Sequence, residues 1–321
     1  MAAEAAAARN ELMRYLDPRV LARIDRLDLR SRLVVEGFMA GLHRSPYQGL
    51  SVEFAQHREY VPGDDIRHVD WKVFSRTDRF YIKQYEEETN LRCMFLLDVS
   101  ESMKYAGRSA AGAGLSKYHY GACIAASLSL LLLHQQDAPG LVTFDEDVVD
   151  ALAPSANPAQ IRTLVHHLER AAARLTAKTA MDRVLMKVAG TLGRRGLVCL
   201  ISDLLVDDER PMFKALRRMA HQGHDVMVLH VLDEDELTFP FEGNTRFLGL
   251  EDAGELVAQP RSLRDGYLAA LRSYIATVRR ECIAQRIGYT TVSTADNLAG
   301  VLGSFLSRRL EAGRKASSKY R

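Results

Sequence analysis

Three oxygen-bearing side chains stand at alternate positions in the segment FLLDVSESM: Asp98, Ser100 and Ser102. Asp98 closes an apolar run, and the serines follow on what reads as a strand-to-helix loop. A carboxylate and two hydroxyls placed this way can converge on one point. Hard oxygen donors suit Mg²⁺, with Mn²⁺ or Ca²⁺ as ions of similar preference. A second apolar run, LVCLISDLL, ends in Ser202-Asp203 and offers another carboxylate. Between the two runs, LTAKTAMDRVL offers Thr179 just before a predicted helix. Each piece alone has a plainer explanation, because Asp at a strand end and Ser after it commonly cap helices. For Asp98 alone, capping is the stronger reading. Asp-x-Ser-x-Ser, then Thr, then Asp, each following a new sheet element, is a much rarer coincidence.

These residues need a scaffold, and from Asn90 onward strand-like runs alternate with helical patterns. Leu91 to Leu97, Gly140 to Val149, Gly196 to Ser202, Asp225 to Leu232 and Tyr289 to Ser293 read as strands. Helices are predicted over Tyr120 to Gln136, Ala159 to Ala173, Met181 to Leu192, Arg210 to Gln222, Arg264 to Arg286 and Asp296 to Leu310. Unbroken Val, Ile and Leu runs are those of strands buried on both faces. Their alternation with helices predicts an α/β fold: a mostly parallel sheet, Rossmann-like, with helices on both faces. Ligands in such sheets bind at the carboxyl ends of the strands, here just after Leu97, Ser202 and Leu232.

The first ninety residues differ. Val20 to Met39 is amphipathic and helical in pattern, while SVEFAQHREY and RFYIKQYEEE alternate and could pair as an antiparallel hairpin. The expected organisation is a helical and hairpin region over residues 1–90, the α/β domain over 91–312, and a disordered basic tail over 313–321. The chain of 321 residues carries 43 Lys and Arg against 41 Asp and Glu, a net charge of +2. That balance gives no general attraction to nucleic acid or anionic lipid. Cys93, Cys123, Cys199 and Cys282 show no CxxC spacing and read as buried free thiols of a reducing compartment. Ala122 to Leu133, the most apolar stretch, is too short to span a bilayer and reads as a buried helix. The Ala-rich N-terminus lacks the basic start and apolar run of a secretory signal, so the expected location is cytoplasmic.

The segment GLSVEFAQHREYVPGDDIRHVDWKVFSRTDRFYIKQYEEE, followed by DVSESM and then ISDLL, resembles a widespread bacterial family. That family is "domain of unknown function" number fifty-eight, whose members are von Willebrand factor A-like. The resemblance covers Gly49 to Asp203 strongly and the remainder through its α/β pattern. It implies a metal-ion-dependent adhesion site formed by Asp98, Ser100, Ser102, Thr179 and Asp203. In such sites the serines and threonine touch the metal, the aspartates act directly or through water, and a partner's carboxylate fills an open position. The resemblance also implies a MoxR-type AAA+ ATPase as partner, and a role in assembly or maturation of protein complexes. One departure lies in the threonine loop, which usually carries glycine before the threonine. Here it reads Thr176-Ala177-Lys178-Thr179, so Thr176 is a second candidate and Lys178 would bring a cation near the metal.

Other features have plainer readings. Asp64, Asp65, Arg67, Asp70 and Trp71 form a polar cluster best read as a structural lock with a packing tryptophan. His166 and His167 are adjacent, face different ways, and cannot form a metal pair at helical spacing. The acidic run Asp233 to Glu236 follows a strand and could approach the metal edge, but reads more safely as a solvated loop. The loop from Lys104 to Lys117 is Gly- and Ala-rich but lacks GxxxxGK[ST], and reads as a flap beside the metal site. The expected function is therefore a non-catalytic, metal-dependent protein-binding module. The competing readings are a metal-dependent phosphohydrolase using Asp98, and a metal-free scaffold in which the aspartates are only caps.

Overall fold

The computed structural model describes residues 27, 29, 31–35, 57–59, 74, 79–83, 91–107, 115–173, 180–193, 195–206, 208–249 and 254–305. The chain divides into two compact units, Leu42–Asn90 and the remainder, Met1–Gly41 with Leu91–Arg321. In the smaller unit, β1 (His57–Glu59) pairs antiparallel with β2 (Tyr81–Lys83), with Arg58 opposite Ile82. This is the expected hairpin, and the Phe74 and Phe80 rings stack 4.4 Å apart in the same unit. The polar cluster from Asp64 to Trp71 and the C-terminal tail lie outside the described residues.

The larger unit is built on β3 (Arg92–Asp98), α1 (Lys117–His134), β4 (Ala138–Phe144), β5 (Val148–Leu152), α2 (Gln160–Ala172) and α3 (Met181–Thr191). It continues with β6 (Leu197–Ser202), α4 (Glu209–His221), β7 (Asp225–Leu232) and a short α5 (Glu234–Thr238). The hairpin β8 (Thr245–Leu248) and β9 (Glu255–Ala258), the long α6 (Pro260–Ala284), β10 (Gly288–Ser293) and helical residues 298–305 complete it. Six strands form one sheet in the order β10-β7-β6-β3-β4-β5. Only the β4–β5 pairing is antiparallel, and it carries a bulge between Thr143 and Phe144. The expected α/β class is therefore observed. The run from Gly140 to Val149, read as one strand with a turn at its far end, turns back at Asp145–Asp147 and continues as a further edge strand. The β8–β9 hairpin has no counterpart in the sequence reading, since Thr245–Leu248 is too short to display a period.

Alternation along each strand divides the core between two helical layers. Leu96, Val198, Leu200, Val226 and Val228 pack with Val184, Leu185 and Val188 of α3, Phe213 and Leu216 of α4, and Val278 and Cys282 of α6. The residues between them point to the opposite face, where Phe95 stacks on Phe305 at 5.8 Å. There α1 lies so close to the sheet that a Cβ on Gly121 would meet Ile201 at 3.0 Å and Leu97 at 3.1 Å. Glycine permits this approach. As expected, Cys93, Cys123, Cys199 and Cys282 are all buried and free, and α1 is buried along most of its length. Among the described residues no helix is long and apolar enough to cross a membrane.

The sheet order reverses at β3. The chain leaves β3 towards β4 and β5 on one side, then returns to β6 on the other. Loops that diverge in this way open a crevice at the carboxyl ends of the two central strands. Asp98 ends β3, and Asp203 directly follows β6, so both stand at that switch point.

Candidate metal centre

Asp98 is fully buried, and both of its oxygens are engaged. Oδ1 accepts the Ser100 backbone N–H at 2.9 Å, and Oδ2 accepts the Ser202 hydroxyl at 2.7 Å. The parallel register that sets Leu97 beside Ile201 brings Ser202 within reach. Beyond Val99, Ser100 occupies the N-cap position of a single 3₁₀ turn, Glu101–Lys104. Its side chain makes no capping hydrogen bond. Instead the Ser100 and Ser102 hydroxyl oxygens lie 3.1 Å apart, both buried. The capping explanation, plausible from sequence, therefore does not describe Ser100.

The Asp203 side is built differently. Ser202 Oγ accepts the Leu204 N–H at 2.9 Å, helping to hold Leu204 in the left-handed region at φ 53°. Tyr274 on α6 donates its hydroxyl to the Leu204 carbonyl, and His230 Nε2 lies 2.9 Å from the Asp203 carbonyl. With its other nitrogen, His230 meets the Tyr289 hydroxyl at 2.7 Å. Burial lowers the His230 pKa to about 4, so the ring is neutral and donates from Nε2 to the Asp203 carbonyl. A non-glycine residue in this backbone region costs on the order of 1 kcal/mol and persists only where its surroundings fix it.

The Asp203 carboxylate is met by a cation. Lys117, the first residue of α1, is 1% exposed and donates from Nζ to Asp203 Oδ2 at 2.7 Å and to Glu236 Oε1 at 2.8 Å. Burial by itself would lower the Lys117 pKa, but the charges of Asp203 and Glu236 outweigh it and hold the ammonium above its ordinary value. Burial likewise pushes Asp203 upward, and Lys117 with the Ser102 hydroxyl overcomes this, so its carboxyl lies below the usual range. Among the described residues Asp98 has no such partner. Burial first, and the Asp203 charge second, raise it from 3.8 to about 7.

The acidic run after β7 is not the solvated loop that its composition implies. Asp233 caps α5 in a capping box with Glu236, whose Oε2 accepts the Asp233 N–H at 2.7 Å while Oε1 holds Lys117. Asp233 and Asp235 are buried, and Asp233 Oδ2 accepts from Thr294 Oγ1 at 2.8 Å and from the Gly107 N–H at 3.2 Å. Gly107 and Lys117 flank the predicted flap, whose residues 108–114 lie outside those described. Thr179 and the alternative Thr176 also lie outside them. Asp98, Ser100, Ser102 and Asp203 come together at one sheet edge, and Lys117 and Glu236 join them, Glu236 by the less favoured reading of the acidic run. Two signals for them exist in the sequence. Lys117 opens an otherwise apolar helix, and Asp233-x-x-Glu236 has capping-box spacing.

The donor set fits a small hard cation. Oxygen ligands about 2.0–2.1 Å from an octahedral ion lie about 2.9 Å from one another along an edge, close to the 3.1 Å between Ser100 and Ser102. A raised, buried Asp98 beside a charged Asp203 is an arrangement that a cation would relieve. Among the described residues no three His, Cys, Asp or Glu side chains are grouped to hold a metal. A cation here would therefore draw on serine hydroxyls and water, as Mg²⁺ does.

The family model described as "Protein of unknown function DUF58" matches residues 56–276, and the chain belongs to that family. An uncharacterized protein of Mycobacterium bovis, Mb1516, is 27% identical over 308 residues, covering 91% of each chain. Among solved structures, the conserved hypothetical protein BatB from Bacteroides thetaiotaomicron is similar at a TM-score of 0.47 and 16% identity, over 70% of this chain and 99% of that one. The SpRpn10 VWA domain is similar at a TM-score of 0.36 and 13% identity, over 66% and 93%.

Proposed function

We propose that this chain is a metal-dependent protein-binding module, with Mg²⁺ held by Asp98, Ser100, Ser102 and Asp203, and with Thr179 completing the set. The observation that carries the reading is the buried Ser100–Ser102 hydroxyl pair, which links two buried carboxylates at the switch point of the sheet. Bound there, the ion supplies a Lewis-acidic position for a carboxylate from the partner. The protein's own residues orient this site: Ser202 fixes Asp98, while His230 and Tyr274 fix the turn that presents Asp203. The resemblance noted from sequence supports a MoxR-type AAA+ ATPase as the partner, with the pair acting in the cytoplasm on assembly or maturation of protein complexes.

A phosphohydrolase using Asp98 as nucleophile fits less well. An aspartyl nucleophile at a strand end is usually followed two positions later by a second acidic residue, and here that position is Ser100. Isothermal titration of the wild type with Mg²⁺ and Mn²⁺ should show saturable binding that Asp98→Ala abolishes. Absence of wild-type binding would refute the metal reading, and binding retained in Asp98→Ala would refute the assigned ligands. Capture of the ATPase from solution should be lost on adding a chelator.

A further inference from the structure

The ammonium of Lys117 stands where a metal-dependent site would be expected to keep its second carboxylate available. Asp203 Oδ2 is taken by Lys117 at 2.7 Å, and Oδ1 accepts the Leu205 N–H at 3.3 Å. Lys117 is the first residue of α1, where the helix's own amides disfavour a positive charge. A buried cation in that position requires strong anionic partners, and it has two. Its backbone is pinned as well. The Lys117 N–H donates to the Tyr105 carbonyl at 3.0 Å, Ser116 caps the helix, and Gly121 seats it on Leu97 and Ile201. Glu236 is fixed independently by the capping box of α5, so it can keep the ammonium if Asp203 turns away.

Resting on the metal-binding reading above, we propose that Lys117 is the residue that sets how tightly this site takes a divalent cation. Its ammonium is an intramolecular competitor for the Asp203 carboxylate, with Glu236 as the alternative seat when the metal wins. A partner or ligand that drew Lys117 fully onto Glu236 would thereby strengthen metal binding without touching a metal ligand.

The test is Mn²⁺ affinity of the full chain, measured from the electron paramagnetic resonance signal of free Mn²⁺. Lys117→Met should bind Mn²⁺ more tightly than the wild type by roughly tenfold or more, because a positive charge a few ångströms away is removed. Lys117→Met/Glu236→Gln removes one charge of each sign. It should still bind more tightly than the wild type, which separates release of Asp203 from a change in total charge. Lys104→Met, which removes a half-exposed lysine from the neighbouring turn, should change affinity less than about twofold at this exposure. If Lys117→Met fails to fold by circular dichroism, the double variant carries the comparison. Binding by the variants that equals or falls below a measurable wild-type affinity overturns the proposal and leaves the metal site standing. Binding by the variants alone supports the competitor role and refutes wild-type metal dependence. Binding by none overturns both.

Discussion

Asp98 and Asp203 end adjacent strands of one sheet, and both are sealed from water, yet their carboxyl groups are displaced in opposite directions. Around Asp98 the donors are a backbone amide and the Ser202 and Ser100 hydroxyls, which satisfy its lone pairs without neutralising its charge. Around Asp203 a lysine supplies a full positive charge at hydrogen-bond distance. Here hydrogen bonds do not offset the burial of Asp98, whereas the Lys117 cation and the Ser102 hydroxyl offset that of Asp203. The Asp98 half of the site is the half in need of a cation, and the Asp203 half already has one.

The largest test of this contrast is removal of that cation. Lys117→Met removes the cation that Asp203 and Glu236 share, and in chelator it should lose about 3–5 kcal/mol of stability in urea unfolding. A loss below about 1 kcal/mol would mean that the ion pair contributes no more than an exposed one. The second test uses pH. The folded pKa of Asp98, about 7, exceeds its unfolded value of 3.8, so the folded protein holds a proton that the unfolded chain releases across this window. Its contribution consequently turns unfavourable as pH rises from about 4 to 7. Asp98→Asn, which cannot ionise, should match wild-type stability near pH 4 and exceed it at pH 8 by about 2–4 kcal/mol in chelator. Equal stability at pH 8 would show that Asp98 is compensated after all, and the difference between the halves would vanish. The smallest effect concerns Ser202, which touches both halves. Ser202→Ala deletes the donor to Asp98 and the acceptor of the Leu204 N–H, and should cost about 1–2 kcal/mol by the same unfolding measurement.

The central strands and most helices were legible in the sequence because their periods and apolar runs report burial directly. β7, at Asp225–Leu232, lies where its run of Val, Leu and Met predicts it. β5 was not legible, since its residues are half-buried on an edge and carry no continuous apolar signal. The acidic run at Asp233–Glu236 was misread for a related reason. Composition reports average solvation, whereas a capping box and a distant lysine decide whether these carboxylates meet water.

By itself, the sequence determined that an Asp-x-Ser-x-Ser loop and a Ser-Asp pair would terminate buried strands of an α/β sheet, because local pattern fixes both strand and loop. Only the tertiary structure decided what those groups are to one another. Strand order placed β3 beside β6 and joined Ser202 to Asp98 across 104 residues. Packing of α1 on the sheet then delivered Lys117 to Asp203 and Glu236, which are 86 and 119 residues away. Whether a buried carboxylate is charged depends on which partners lie within a few ångströms. Chain separations of that size leave no periodic trace in a sequence.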